Sequence, residues 1–234
     1  MAEGSEHTFL FADLCGFTAL TEVHGDEDAA DLAGGFFAEA RALLGEHRAK
    51  EVKTLGDAMM VSCESAVDAI GLGLRMVQEI GARHGFPSVR VGLHTGPAVE
   101  RDGDWFGAAV NLAARVSGAA GGGEVLLTDA SAAAAGAPGG GSLGAIPPHA
   151  NVVLHPRGSR ELRNVGQPVP VLEASCQRSR SAEDLPIDPV CRMAVDPEHA
   201  AGTLVHDGVE YSFCSLDCVR QFAEAPERYA VPVA

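Results

Sequence analysis

The sequence predicts an α+β domain built on an antiparallel or mixed sheet, followed by a small second unit. Strand-like and helix-like segments mix without the regular alternation of a parallel α/β fold. A polar stretch, QRSRSAEDL (residues 177–185), separates a long apolar-rich region from a short cysteine-bearing one. The chain's 234 residues hold one domain of ordinary size and a small one, and 46% hydrophobic content supplies a core. The expected division is residues 1–176, a linker at 177–186 and a unit at 187–234.

The elements follow in order. HTFLFA (7–12) is a short apolar run of strand character that ends at Asp13. From 26 to 48 the apolar residues Ala30, Ala33, Phe36, Phe37, Ala40 and Leu44 recur at three- and four-residue steps, which predicts a helix. VKTLGDAMMV (52–61) is a hairpin around Leu55-Gly56-Asp57. Residues 65–83 return to helical spacing through Ala66, Ala69, Ile70, Leu74, Val77 and Ile80. VRVGLHT (89–95) alternates like a strand and meets Gly96-Pro97; residues 106–117 fit a helix, and EVLLT (124–128) a strand. Residues 132–148, rich in Ala, Gly and Pro, are expected to be a poorly ordered excursion. Strands at 152–154 and 169–172 close the domain.

A net charge of −15 argues against a non-specific nucleic-acid binder, which needs a basic face. A polyanionic substrate would need bound cations or a few well-placed Lys and Arg side chains. The opening MAEGSEHTFLFADLCGF lacks the basic and long apolar regions of a signal peptide, and no run approaches eighteen apolar residues. The expectation is a cytoplasmic protein with neither a membrane nor a nucleic-acid partner. Its six cysteines are then reduced thiols or metal ligands rather than a disulfide framework.

Asp13 and Asp57 each adjoin an apolar strand and a glycine-containing turn. Carboxylates gathered at strand ends suit Mg²⁺, which takes one or two of them together with substrate phosphates. The same residue type also serves as a turn former or helix N-cap. Asn111 and Arg115 are four apart on a predicted helix and share a face. Arg offers a rigid fork of donors to a phosphoryl group, and Asn can orient a ribose. A solvated helix face has the same pattern. Met59, Met60 and Trp105 read as packing residues, as do Cys15, Cys63 and Cys176.

In order, FADLCGFTALTE (11–22), VKTLGDAMM (52–60), VRVGLHTGP (89–97), DWFGAAVNLAARV (104–116), GEVLLT (123–128) and ELRNVGQPVPVLE (161–173) resemble the catalytic domain of class III adenylate and guanylate cyclases. The resemblance spans about residues 5–175 and implies a ferredoxin-like fold with flanking helices. It implies that Asp13 and Asp57 hold two Mg²⁺ or Mn²⁺ ions per site, and that the backbone at 14–18, with Phe17 and Thr18, wraps the β- and γ-phosphates. Lys53 and Asp104 would read the base, Asn111 would orient the ribose and Arg115 would neutralise the α-phosphate. Arg163 stands about where the family usually has a phosphate-binding Lys. A lysine can donate to adenine N1 and an aspartate can accept from N6. Guanine presents the reverse polarity, and guanylate-type members typically carry Glu and Cys at these places. ATP is therefore the expected substrate. The family builds its sites between two catalytic domains, and this chain carries both sets of residues, which implies a head-to-tail homodimer. A degenerate member that binds nucleotide without turnover would have lost an Asp, the Asn or the Arg, and none is missing.

DPVCRM (188–193) and YSFCSLDC (211–218) resemble a YHS domain, a small module related to metal-binding TRASH-type domains, over about residues 187–229. The family usually has Gly where this chain has Arg192. Cys191, Cys214 and Cys218 can bind a soft ion, Zn²⁺ or Cu⁺, or can fill a small core. His199, His206 and Asp217 are the candidates for a fourth ligand, and the module would make the cyclase metal-responsive.

Overall fold

The computed structural model describes residues 5–176 and 185–230, so most of the expected linker lies outside the described residues. The chain enters as β1 (Ser5–Leu14), turns at Cys15-Gly16 into the short helix α1 (Phe17–His24), and continues after Gly25 into α2 (Asp26–Leu44). The expected hairpin is β2 (Ala49–Leu55) and β3 (Ala58–Cys63). Ser65 then caps α3 (Ala66–Arg75), its side chain accepting from the Asp68 amide. β4 (Val89–Arg101) runs past Gly96-Pro97 because β5 (Asp104–Phe106) folds back and pairs with residues 99–101. There follow α4 (Ala108–Ala119), β6 (Val125–Thr128), α5 (Asp129–Ala134), β7 (Gly141–Ile146), β8 (His149–Arg160) and β9 (Val169–Cys176). The small unit contains β10 (Gly202–His206), β11 (Val209–Phe213), α6 (Leu216–Glu224) and α7 (Pro226–Tyr229).

The main sheet has the order β2-β3-β1-β4-β6-β9-β8-β7, with β5 appended to β4. Only β4 and β6 pair in parallel, so the sheet is mixed. Side chains on a strand alternate between faces, and β1 shows the consequence. Leu10, Ala12 and Leu14 enter the cluster that holds Phe36 of α2 and Ile70 and Leu74 of α3. Phe9 and Phe11 enter a second cluster with Trp105 and with Ala109 and Ala113 of α4. Helices thus cover both faces of the central strands. No helix among the described residues is long and apolar enough to cross a membrane.

Residues 132–148 correct the sequence expectation of poor order. Ala132 and Ile146 are buried in the main core, and β7 pairs with β8. The Ala- and Gly-rich composition reflects small side chains rather than a lack of partners. Helix α1 departs from the sequence pattern, in which Phe17, Leu20 and Val23 alone make a thin apolar stripe. At eight residues α1 is too short to persist alone. Its stability comes from the small unit: Leu20, with Ala29 of α2, is buried in one cluster with Val190, Cys191, Met193, Phe213 and Phe222. Burying a leucine contributes about 1.5–3 kcal/mol. Backbone bonds reinforce this contact, from Ser88 N to the Arg192 carbonyl (3.1 Å) and from Ala194 N to the Phe86 carbonyl (3.0 Å). Arg192 has φ 67°, the left-handed region that favours glycine.

Gly92 sets the height of α4 above the sheet. A Cβ there would lie 1.9 Å from the Ser117 amide nitrogen. Gly92→Ala should therefore destabilise the chain by at least about 1–3 kcal/mol, the usual cost of overpacking. Gly34→Ala, on the exposed side of α2 with nothing near the new Cβ, should stabilise by about 0.8–1 kcal/mol. Urea unfolding of both variants checks the contrast.

Candidate active site

β1 carries Asp13 in its last turn of sheet, opposite Ala58 on β3 and Arg90 on β4. That register sets Asp57, in the β2–β3 turn, beside Asp13. Arg90 donates from Nε to Asp13 Oδ2 at 2.7 Å, and its Nη2 donates to the same oxygen. Burial pushes the Asp57 carboxyl up to about 6, and the neighbouring Asp13, through its charge and a hydrogen bond, pushes the same way. Two partly buried carboxylates with one guanidinium, bonded to Asp13, leave negative charge uncompensated. This donor set fits hard divalent cations that use one or two carboxylates.

The loop beside the pair turns through Gly16 at φ 72°, and the Cys15 amide donates to the Ser88 carbonyl at 2.8 Å. Gly16 must be glycine for a second reason. A Cβ on it would meet Cγ of Arg192 at 2.6 Å. Phe17 packs against both the main core and the small unit's core, while Thr18 is exposed at the start of α1.

The β4–β5 hairpin folds over the sheet because Trp105 packs on His7 and Phe9, with ring centroids 4.3 and 5.5 Å away. Trp105 thereby performs the expected packing role, and it carries Asp104 to Lys53. The Lys53 ammonium donates to Asp104 Oδ2 at 2.5 Å, and the Trp105 amide donates to Oδ1 at 2.8 Å. The Lys53 bond holds the Asp104 carboxyl below its ordinary range. Both side chains keep an exposed edge, so a planar ring can reach them.

Asn111 and Arg115 are exposed on one face of α4 and line a cleft of about 520 Å³ together with Arg163. Leu162 anchors the neighbouring turn in a cluster with Val116, Ala120 and Leu126, which brings Arg163 to the cleft. Periodicity and spacing alone give no reason for Arg163 to face α4, some fifty residues earlier. The candidates form three groups: the carboxylate pair with its loop, Lys53 with Asp104, and the cleft. Among the described residues no hydrogen bond or ion pair joins one group to another.

The thiols of Cys191, Cys214 and Cys218 converge, and His24 meets them. This corrects the expectation for a fourth partner. His199 bonds Asp196 at 2.9 Å, His206 lies 3.5 Å from Asp207, and Asp217 pairs with Arg220. No local spacing signals His24, because it lies in the other unit and reaches the thiols only through the packing of α1. Hydrogen bonds from Cys191 and then Cys214 hold the Cys218 sulfur far below the ordinary thiol range, and the bond with Cys214 pushes Cys191 far above it. Burial pushes Cys15 to about 11 and Cys63 to about 12, as inert packing residues require.

The family model for the adenylate and guanylate cyclase catalytic domain matches residues 1–138, and that for the YHS domain matches residues 187–233. A pH-sensitive adenylate cyclase of Mycobacterium tuberculosis is 42% identical over 122 residues, which cover 52% of this chain and 30% of that protein. An adenylate cyclase of Streptomyces griseus is 37% identical over 110 residues, covering 47% and 28%. The chain thus spans less than a third of the length of these relatives. The adenylyl cyclase CyaB from P. aeruginosa superposes with a TM-score of 0.59 at 21% identity, over 76% of this chain and 96% of that one. An adenylate cyclase from Trypanosoma brucei gives 0.61 at 23% identity, over 76% and 92%. Both share the fold described above.

In the cation-free chain, Asp57 should titrate near pH 6, above the usual carboxylate range. Asp13→Asn removes the neighbouring charge and should lower that midpoint, leaving burial as the main upward influence. Carboxyl-carbon NMR in the presence of a chelator measures both values. An Asp57 midpoint unmoved by the substitution would show that the two carboxylates do not interact.

Proposed function

The chain belongs to the adenylate and guanylate cyclase catalytic-domain family and carries a C-terminal YHS domain, and from that premise we propose that it converts ATP to 3′,5′-cyclic AMP and pyrophosphate. The observation that carries the choice of base is the Lys53–Asp104 contact. Its ammonium presents a donor and its carboxylate an acceptor side by side, the polarity that adenine N1 and N6 require. A solvent-facing ion pair of this kind is worth little by itself, so exchanging it for contacts to the base costs little. A guanine edge would face the pair with mismatched groups, the kind of mismatch that supports strong discrimination where water is excluded.

The reaction is an intramolecular phosphoryl transfer. The ribose 3′-oxygen forms a bond to the α-phosphorus as its proton departs, and the bond to the β-phosphate bridging oxygen breaks to release pyrophosphate. Asp13 and Asp57 would hold two Mg²⁺ or Mn²⁺ ions, which supply a lowered pKa for the 3′-hydroxyl and positive charge for the triphosphate. The amides of the loop at 14–18, including Phe17 and Thr18, bind the β- and γ-phosphates. Asn111 orients the ribose. Arg115 gives the α-phosphoryl group a fork of donors where negative charge grows in the transition state. Arg163, in the same cleft, contributes a second positive charge toward the phosphates.

We place the complete site between two copies of the chain. What supports this is that the cleft lined by Asn111, Arg115 and Arg163 includes neither Asp13 nor Asp57. A head-to-tail dimer lets the carboxylates of one copy face the cleft of the other, and two-fold symmetry gives two equivalent sites.

Asp13→Asn or Asp57→Asn should abolish cyclic AMP formation while the fold persists. Mixing Asp57→Asn with Arg115→Ala, each inactive alone, should restore about a quarter of wild-type activity. Half the dimers are then mixed, and each mixed dimer has one intact site of two. No rescue despite demonstrated subunit exchange would place the whole site within one chain. The double change Lys53→Glu with Asp104→Cys should weaken ATP use by about 1–3 kcal/mol per mismatched pair and move preference toward GTP. The ratio of kcat/KM values for ATP and GTP measures this. An unchanged ratio would remove Lys53 and Asp104 from base recognition.

A further inference from the structure

His24 precedes Cys214 by 190 residues, yet its Nε2 lies 3.7 Å from the Cys214 sulfur. The sulfurs of Cys191 and Cys218 are 3.3 and 3.8 Å from that same atom. All four donor atoms lie within 4.8 Å of one another. Zinc–sulfur bonds of ~2.3 Å in a tetrahedron give ligand–ligand edges of ~3.8 Å. The four atoms therefore already have nearly the dimensions of one coordination shell. Cys191 and Cys218 are fully buried, while His24 and Cys214 are partly exposed. All three thiols are free, and 3.3 Å is well beyond a disulfide bond of ~2.05 Å.

The donor set narrows the ion to a soft or borderline one, and four donors at tetrahedral spacing favour Zn²⁺. Three sulfurs and one imidazole make a closed tetrahedral site of the structural Zn²⁺ kind. Without an oxygen ligand the set suits neither Mg²⁺ nor Ca²⁺. We infer that His24, Cys191, Cys214 and Cys218 bind one Zn²⁺ per chain, and that the ion cross-links the YHS unit to the catalytic unit through helix α1.

Two connections run from this centre to the loop at 14–18. His24 is the last residue of α1, whose first turn leaves that loop. Cys191 is followed by Arg192, whose side chain abuts Gly16 and whose carbonyl accepts from the Ser88 amide. Ser88 in turn accepts from the Cys15 amide through its own carbonyl. A bound ion thus restrains the loop from both sides. Its consequence for nucleotide binding rests on the catalytic reading proposed above, whereas the metal site itself does not.

The test uses the full chain, reduced and stripped of metal, and two readouts that do not involve cyclisation. Competition with a chromophoric chelator gives the Zn²⁺ affinity and stoichiometry, and amide hydrogen exchange reports on residues 14–24. One Zn²⁺ per chain is expected, with exchange in 14–24 slowed on loading. Losing only an outer partner of a ligand costs about 10–100-fold in metal affinity, so losing a ligand in His24→Ala should cost at least about 100-fold. His24→Cys, which restores a fourth donor, should bind tightly and recover the slowed exchange. Equal Zn²⁺ affinity in wild type and His24→Ala would overturn the proposal, because the cysteines alone would then hold the ion. So would tight binding that leaves exchange in 14–24 unchanged.

Discussion

β1 is hydrogen-bonded along both edges, to β3 on one side and β4 on the other, and this double antiparallel pairing constrains the site more than any side-chain contact. It fixes the register that sets Asp13 opposite Ala58 and Arg90. From that register follow the neighbouring position of Asp57 and the bond from the Arg90 guanidinium to Asp13. A slip of one residue would turn Asp13 into the core and expose Leu14. The packing of Leu10, Ala12 and Leu14 against α2 and α3 excludes that slip. Core packing and site geometry are thus one constraint expressed on alternate faces of a strand.

An acidic chain with an acidic site has to recruit cations before it can hold a triphosphate. The carboxylate pair shows this most directly, since burial and mutual repulsion raise Asp57 to about 6. Arg90 relieves part of that repulsion and leaves room for more positive charge. Few of the chain's 17 basic residues stand at the candidate groups. Lys53 is committed to Asp104, while Arg115 and Arg163 are gathered at a single cleft. Positive potential is placed by position rather than by composition, in keeping with a net charge of −15.

The small unit does more than follow the first. It supplies the core against which α1 folds, and α1 carries the loop beside the carboxylates. Removing that core would leave Leu20 and Ala29 exposed and an eight-residue helix without support. Arg192 adopts a left-handed backbone conformation at the point of contact with Gly16. A non-glycine residue bears a strain of about 1–2 kcal/mol there. Its Cβ and Cγ fill the space that glycine in position 16 leaves open.

By itself the sequence determined the α+β class and the main strands and helices, which are written in local periodicity. It offered Asp13, Asp57, Asn111 and Arg115 as candidates from their placement, while Lys53, Asp104 and Arg163 came only from the resemblance to the cyclase family. Phe36, Ile70 and Leu74 announced the core faces of α2 and α3, and Leu55-Gly56-Asp57 announced its turn. Elements whose stability comes from distant partners were not legible. Helix α1 depends on residues beyond position 187, and the strand at 141–146 depends on β8 rather than on its own Gly-rich composition. Only the tertiary structure sorted the candidate residues into three groups and set Arg163 across a cleft from Arg115. It alone brought His24 to three cysteines that lie between 167 and 194 residues away in sequence. The reason is physical: a side chain's partners across the fold are fixed by how helices and strands pack, and no spacing along the chain records that packing.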